Sequence, residues 1–367
     1  MKLTCNSIDL SDALTKVGKA LPIKRTNPIL SGIKIKADGS ILTLTASDTE
    51  LTIEKKIVAD IKIEGESVVE GRYFIDYVKK IEGEEINIDT SEKDTLRLTY
   101  GENNGIVQTM PADEYPLQKI IDEENFFFIQ KNEFKDLINK IIFCAASEDN
   151  RPILKGCCLE LMNNKIIGVA SDSYRMAYCT KSIEYGGENV KIVVPARSLM
   201  EISKILDDEK DLIKISFEEK YFMIDLEHTK ITTRLIEGNF IDYNKIIPNE
   251  FSTDVTVDKK MLETAIDRAA LATRADKRSV IKLDIKENKM SISAESETRS
   301  INENININLE GKDLTIGFNA RFISECLRPI EDSFVKMSFN ASTTPGIILP
   351  TSGQDYIYLI LPIRIIG

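Results

Sequence analysis

At 367 residues the chain is long for a single hydrophobic core and predicts two or three domains of ordinary size. Its 42% hydrophobic and 29% charged residues exclude a disordered or fibrous protein, and no window approaches the roughly 18 apolar residues of a membrane span. A net charge of −11 argues against a protein that grips nucleic acid over its whole surface, because phosphate binding brings an excess of Lys and Arg where it occurs.

Along the chain the predicted elements come three times over. Leu10, Ala13, Leu14, Val17 and Leu21 recur at helical spacing and predict an amphipathic helix opening the first unit. Alternating strands follow in "NPILSGIKIKADGSILTLTASD" from Asn27, then a helix starting at Arg72 in "GRYFIDYVKKI", then strands again in "EINIDT". In the second unit Phe134, Leu137, Ile138 and Ile141 form the opening stripe. There "RPILKGCCLELMNNKIIGVASD" from Arg151 matches the Asn27 stretch without a gap, a helix starts at Arg197 in "ARSLMEISKIL", and "LIKISF" resumes the strands. The third unit repeats the order with Leu262, Ala265, Ile266 and Ala269, then "RSVIKLDIKENKMSISAES" from Arg278, then "ARFISECLRPI" with Arg321. Ala46, Ala170 and Ala294 stand 124 residues apart. The period predicts three tandem α+β units, residues 1–124, 125–250 and 251–367, each with two helices and antiparallel sheets.

Charge is distributed unevenly over this pattern. The helical windows 8–25, 72–80, 131–151, 197–204, 258–278 and 321–328 together carry +8, which leaves −19 for the rest of the chain. Mildly basic helices in an acidic protein are consistent with a nucleic-acid face or with ordinary solvated helix surfaces. The six cysteines form no CxxC, and the only close pair, Cys157 and Cys158, is adjacent; reduced, packing thiols in a cytoplasmic protein are expected.

"GVASDSYRMA", Gly168–Ala177, crowds two serines, an aspartate, a tyrosine and an arginine into five consecutive positions, yet its "ASD" recurs in the first unit and is partly architectural. A Ser/His/Asp device would have to use His228, the only histidine, in a strand-like stretch without a serine motif. There is no GxxxxGK[ST], HExxH or GxGxxG, and Asp207 and Asp208 read as a solvated turn after a helix. These residues give a catalytic reading little to rest on, and no cofactor or metal is expected. A repeat scaffold that binds only proteins stays open beside a DNA-associated one.

The whole chain resembles the bacterial sliding clamps, the beta subunit of the replicative DNA polymerase III holoenzyme. The resemblance is carried by "NPILSGIKI" with "LTASDTEL", by "RPILKG" with "GVASDSYRMA", by "LIEGNFIDYNKIIP" and by the C-terminal "YLILPIRI". It implies a ring of two chains joined head to tail, helices lining the hole, which encircles duplex DNA without reading sequence and tethers the polymerase. By the resemblance Lys24, Arg25, Arg72, Arg151 and Arg197 are the candidates for phosphate contact. Leu154, Ser171, Ser173, Tyr174, Arg175, Met176, Ile241, Lys245, Ile246, Leu359, Leu361, Pro362, Ile363 and Arg364 correspond to a pocket for short peptides of partners. The implied partners are the polymerase catalytic subunit, the clamp loader, and other replication and repair proteins that carry a clamp-binding motif; no membrane is implied. Ile106 and Gln108 of one chain are expected to face Leu271 and Ala272 of the other, giving a homodimer. Ile241 stands where many relatives carry proline, Gln108 where an apolar residue is common, and Ile366 and Gly367 extend past the usual end.

Overall fold

The computed structural model describes the chain except for residues 25–26, 117–120, 122–123, 149, 249, 274–278, 354 and 366–367. Among the described residues there are six α-helices, two per repeat: α1 (Ser7–Val17), α2 (Gly71–Val78), α3 (Lys131–Ile141), α4 (Ala196–Ser203), α5 (Lys259–Ala270) and α6 (Ala320–Leu327). None of these is long and apolar enough to cross a membrane.

A strand opens each repeat where the sequence predicts a helix. Lys2–Asn6, Phe126–Gln130 and Thr253–Asp258 precede α1, α3 and α5. Such short strands are easily overlooked beside the helical stripes they lead into. The change from strand to helix is fixed by capping. Asn6 Oδ1 accepts from the Ile8 amide at 2.8 Å, Glu70 Oε2 from Tyr73 at 2.7 Å, Asp258 Oδ1 from Met261 at 2.8 Å and Asn319 Oδ1 from Arg321 at 3.0 Å. These oxygens satisfy amides that have no partner within the helix. With only 8 residues, α2 and α6 could not stand alone, so their order comes from burial. On α5, Leu262, Ala265, Ile266 and Ala269 are fully buried, and each Leu or Ile contributes about 1.5–3 kcal/mol.

Compact units do not follow the repeat boundaries. One comprises Met1–Lys131 with Glu201–Leu235, the other Asn132–Met200 with Ile236–Gly367. The reason lies in the strand pairing. In the first unit Thr229–Arg234, from the second repeat, pairs antiparallel with Leu51–Val58, from the first, and sets Ile231 opposite Ile53 in a thirteen-stranded sheet. In the second unit Arg175–Ser182 pairs with Tyr356–Ile360 of the third repeat within a nine-stranded sheet, and a four-stranded sheet completes the unit. Strand edges left open by one repeat are thus taken up by the next, which satisfies their backbone groups.

The shared "ASD" is structural in both of its copies. Thr49 and Ser173 have φ of 79° and 77°, and the aspartate before each closes the turn. Asp48 Oδ1 accepts from the Glu50 and Leu51 amides at 3.0 and 2.8 Å, and Asp172 Oδ1 from the Tyr174 and Arg175 amides at 3.0 and 3.1 Å. What distinguishes the second copy is Arg175 in the place of Leu51. All six cysteines are unbridged and buried; burial pushes the thiols of Cys5, Cys158 and Cys179 up to about 12, so they pack and do not react.

Candidate functional site

The turn at Asp172 delivers its side chains to a cavity of about 210 Å³ in the second unit. Antiparallel pairing sets Met176 opposite Leu359 and Arg175 opposite Ile360, and the Leu361 amide continues the ladder to the Tyr174 carbonyl at 2.9 Å. Met176 and Leu359 belong to one buried cluster with Cys158, Val169, Val193 and Tyr243, against which Ile241 packs. Around this floor stand Leu154, Ser171, Ser173, Tyr174, Arg175, Ile241, Ile246 and Leu361. Tyr174 is 65% exposed and forms an open flank. The structure therefore gathers ten of the fourteen residues expected at the pocket.

The other four lie outside this lining. Lys245 is exposed and bound to Asp242 at 2.8 Å, and Arg364 is exposed. Pro362 and Ile363 are half-buried, with the Ile363 amide donating to the Gly317 carbonyl at 2.8 Å. Arg151, expected among the phosphate-contacting cations, joins the cavity and donates from its guanidinium to Ser173 Oγ.

Arg175 lines the cavity, but its guanidinium is engaged within the protein and its side chain is only 5% exposed. Nε donates to Asp172 Oδ2 at 2.9 Å, Nη2 to the Phe143 carbonyl at 2.8 Å, and Nη1 to Glu325 Oε2. The guanidinium carbon also lies 4.2 Å from the Phe322 ring centroid, a cation–π contact. Ser171 Oγ donates to the Arg175 carbonyl at 2.8 Å and accepts from the Ser173 amide at 3.2 Å. The polar side chains of Ser171, Asp172 and Arg175 are thereby committed to holding the turn, while the Ser173 hydroxyl accepts from Arg151 and Tyr174 is exposed. His228 belongs to the other unit, where it is exposed and 3.9 Å from Glu227. The cavity is apolar with a few fixed polar groups at its edge, an arrangement suited to holding a ligand.

A supporting triad escaped the reading of the sequence. Tyr243 donates its hydroxyl to Glu160 Oε2, which also takes Lys191 Nζ at 3.0 Å, and Lys191 sits 5.2 Å from the centre of the Tyr243 ring. This pins the segment between Ile241 and Ile246 against the floor. One signal was available: Glu160 is the lone charge in the buried strand "GCCLELM". Tyr243→Phe should lower the unfolding free energy by about 1–3 kcal/mol, because Glu160 loses a buried donor. Denaturant titration of the full chain checks this, and an unchanged midpoint would show that Lys191 alone satisfies the carboxylate.

Among the remaining candidates, Lys24 and Arg72 are exposed, and Arg72 donates to the Pro22 carbonyl at 3.1 Å, tying the first turn of α2 to the loop that bears Lys24. Arg197 is half-buried in the first turn of α4, and Arg25 lies outside the described residues. On the strand Asn103–Met110, Ile106 is 54% exposed and Gln108 is also exposed. Leu271, after α5, is 50% exposed, whereas Ala272 at 3% offers almost no surface of its own.

Comparison with known proteins places these features in a family context. The chain matches three family models: DNA polymerase III beta subunit, N-terminal domain, over residues 1–119; central domain, over 128–242; and C-terminal domain, over 244–364. It is similar to the beta sliding clamp of Staphylococcus aureus, 30% identical over 356 residues with 94% of each chain covered. Among solved structures it is similar to the DNA polymerase sliding clamp from Bacillus subtilis, 29% identical with a TM-score of 0.96. It is likewise similar to the DNA polymerase III beta subunit from Thermotoga maritima, 28% identical with a TM-score of 0.94. In both cases each chain is covered over its full length.

Proposed function

Because the chain belongs to the DNA polymerase III beta-subunit family, the beta sliding clamps, we propose that it is a non-catalytic DNA sliding clamp whose second-unit cavity docks short peptides of the proteins it tethers. Two copies form a ring around duplex DNA in the cytoplasm, and the polymerase catalytic subunit, the clamp loader and other replication and repair proteins take turns at the cavity.

The observation that carries this reading is the apolar cavity lined by Leu154, Met176, Ile241, Ile246, Leu359 and Leu361. Aliphatic anchors buried there contribute roughly 25 cal/mol per Å², and a cavity of this size holds one or two of them. The expected affinity of a lone peptide is therefore on the order of micromolar, weak enough for partners to exchange.

Ring closure is supported by two strand edges. Among the described residues, Asn103–Met110 bonds to Thr95–Tyr100 along one side, while on the other Gly65–Glu70 reaches only Thr109 and Met110. In the third repeat Arg299–Asn306 is the outer strand of the four-stranded sheet. The proposed contact joins these edges between copies, with Ile106 and Gln108 against Leu271 and Ala272. It is heterologous, and two such contacts complete the circle.

A clamp that slides cannot hold phosphates tightly, because each firm contact is a barrier to movement; weak, distributed cations such as Lys24, Arg25, Arg72, Arg151 and Arg197 suffice. Neutralising Arg72 and Arg197 together is expected to reduce retention on DNA and its salt dependence while peptide binding stays within twofold of wild type, as about two phosphate contacts are lost. Salt-dependent binding assays check it. Unchanged DNA retention would favour a scaffold that binds proteins alone.

A further inference from the structure

Glu325 joins the pocket to the exposed surface of α6. Its carboxylate, 15% exposed, takes the Arg175 guanidinium on Oε2 and accepts from Arg321 Nε at 2.7 Å on Oε1. The two cations differ sharply in setting, since the Arg175 side chain is 5% exposed and that of Arg321 72%. Arg321 also occupies in the third repeat the position that Arg72 and Arg197 occupy in the first two.

We infer that Glu325 is a positioning residue that couples anion binding at Arg321 to the peptide pocket. With Arg321 in place, one carboxylate is shared between two guanidinium groups. A DNA phosphate that draws Arg321 away leaves the carboxylate to Arg175 alone. That pair is buried, so it is little screened by salt, whereas the competing exposed pair is weak. Arg175 is then held more firmly, and with it the turn from Asp172 to Met176 that forms one wall of the cavity. A better-ordered wall binds an apolar peptide more tightly, because less freedom is lost on binding. By linkage, an occupied pocket raises the affinity of Arg321 for phosphate by the same factor. The inference rests on the reading of the cavity as a peptide site.

The test uses the full chain and a fluorescent synthetic peptide bearing leucine and phenylalanine side chains, titrated by anisotropy at low salt with and without a linear duplex oligonucleotide, held at a concentration that a separate titration shows to saturate binding. Wild type should bind the peptide about three- to fivefold more tightly when duplex is present. Arg321→Ala should reach that tighter value without duplex and no longer respond to it. Glu325→Gln, which keeps the shape of the side chain, should bind about tenfold more weakly and also fail to respond. Thermal unfolding of each variant reports whether it is folded. A duplex response preserved in Arg321→Ala, or Glu325→Gln binding like wild type, would overturn the coupling. If wild type binds peptide with no duplex response, the coupling fails and the pocket stands. If wild type binds no peptide, the pocket reading itself fails and takes the coupling with it.

Discussion

Replacing Arg175 by alanine is expected to abolish peptide binding and to lower the unfolding free energy of the chain by about 3–5 kcal/mol. The guanidinium holds Asp172, Glu325 and the Phe143 carbonyl at once, and its removal leaves two carboxylates and a carbonyl with a lost donor in a region only 5–17% exposed. Arg175→Lys should not rescue it, because one ammonium cannot reproduce a planar fork aimed at three separate acceptors. Denaturant titration and peptide anisotropy read the two effects. A variant that bound peptide normally would show that the turn keeps its shape without the arginine.

The same site predicts a pH dependence. Burial alone would raise the Glu325 carboxyl, but the hydrogen bonds and charges of Arg321 and Arg175 outweigh it and hold the group below its ordinary range. The folded pKa is thus lower than the unfolded one. Its stabilisation is complete above the ordinary glutamate range and is lost as pH falls through the depressed folded value. Arg175→Ala should accordingly lose less stability on acidification than wild type does, and stability measured at neutral pH and near about pH 3 checks it.

What could be read from the sequence depended on how local its cause was. The helical stripes, and the "ASD" turn that recurs with the 124-residue period, depend on neighbours in the chain, and both were legible. The strands Lys2–Asn6, Phe126–Gln130 and Thr253–Asp258 were missed because segments of five or six residues give little signal beside a helix. The pairing of Thr229–Arg234 with Leu51–Val58 depends on residues far apart, and no periodicity reveals it. At the pocket, similarity to a known family supplied the apolar lining. The bonds that shape that lining run from Arg175 to Glu325 and Phe143, separated by 150 and 32 residues, and leave no pattern in either stretch. Arg175, expected at the pocket, lines the cavity, and its guanidinium also braces the protein internally.

The second large effect is expected at the proposed junction between copies. Ile106→Asp or Leu271→Asp should weaken dimerisation by more than about a hundredfold, since each places an unpaired carboxylate in an apolar contact that occurs twice in the ring. Both side chains are at least half exposed in the single chain, so the fold itself should tolerate the change and thermal unfolding should move little. Sedimentation equilibrium distinguishes the monomer from the dimer. A dimer of wild-type strength in both variants would place the interface elsewhere on the chain.

The central claim is that topology, and not grip, keeps this protein on DNA. The most direct test loads the protein onto a nicked circular duplex with a matching clamp loader and ATP, removes unbound protein, cuts the circle once, and follows what stays bound. The account predicts retention on the intact circle and rapid loss from the cut one, as the ring slides off the ends. Equal retention on both would contradict it, because the protein would then be holding DNA by direct contact.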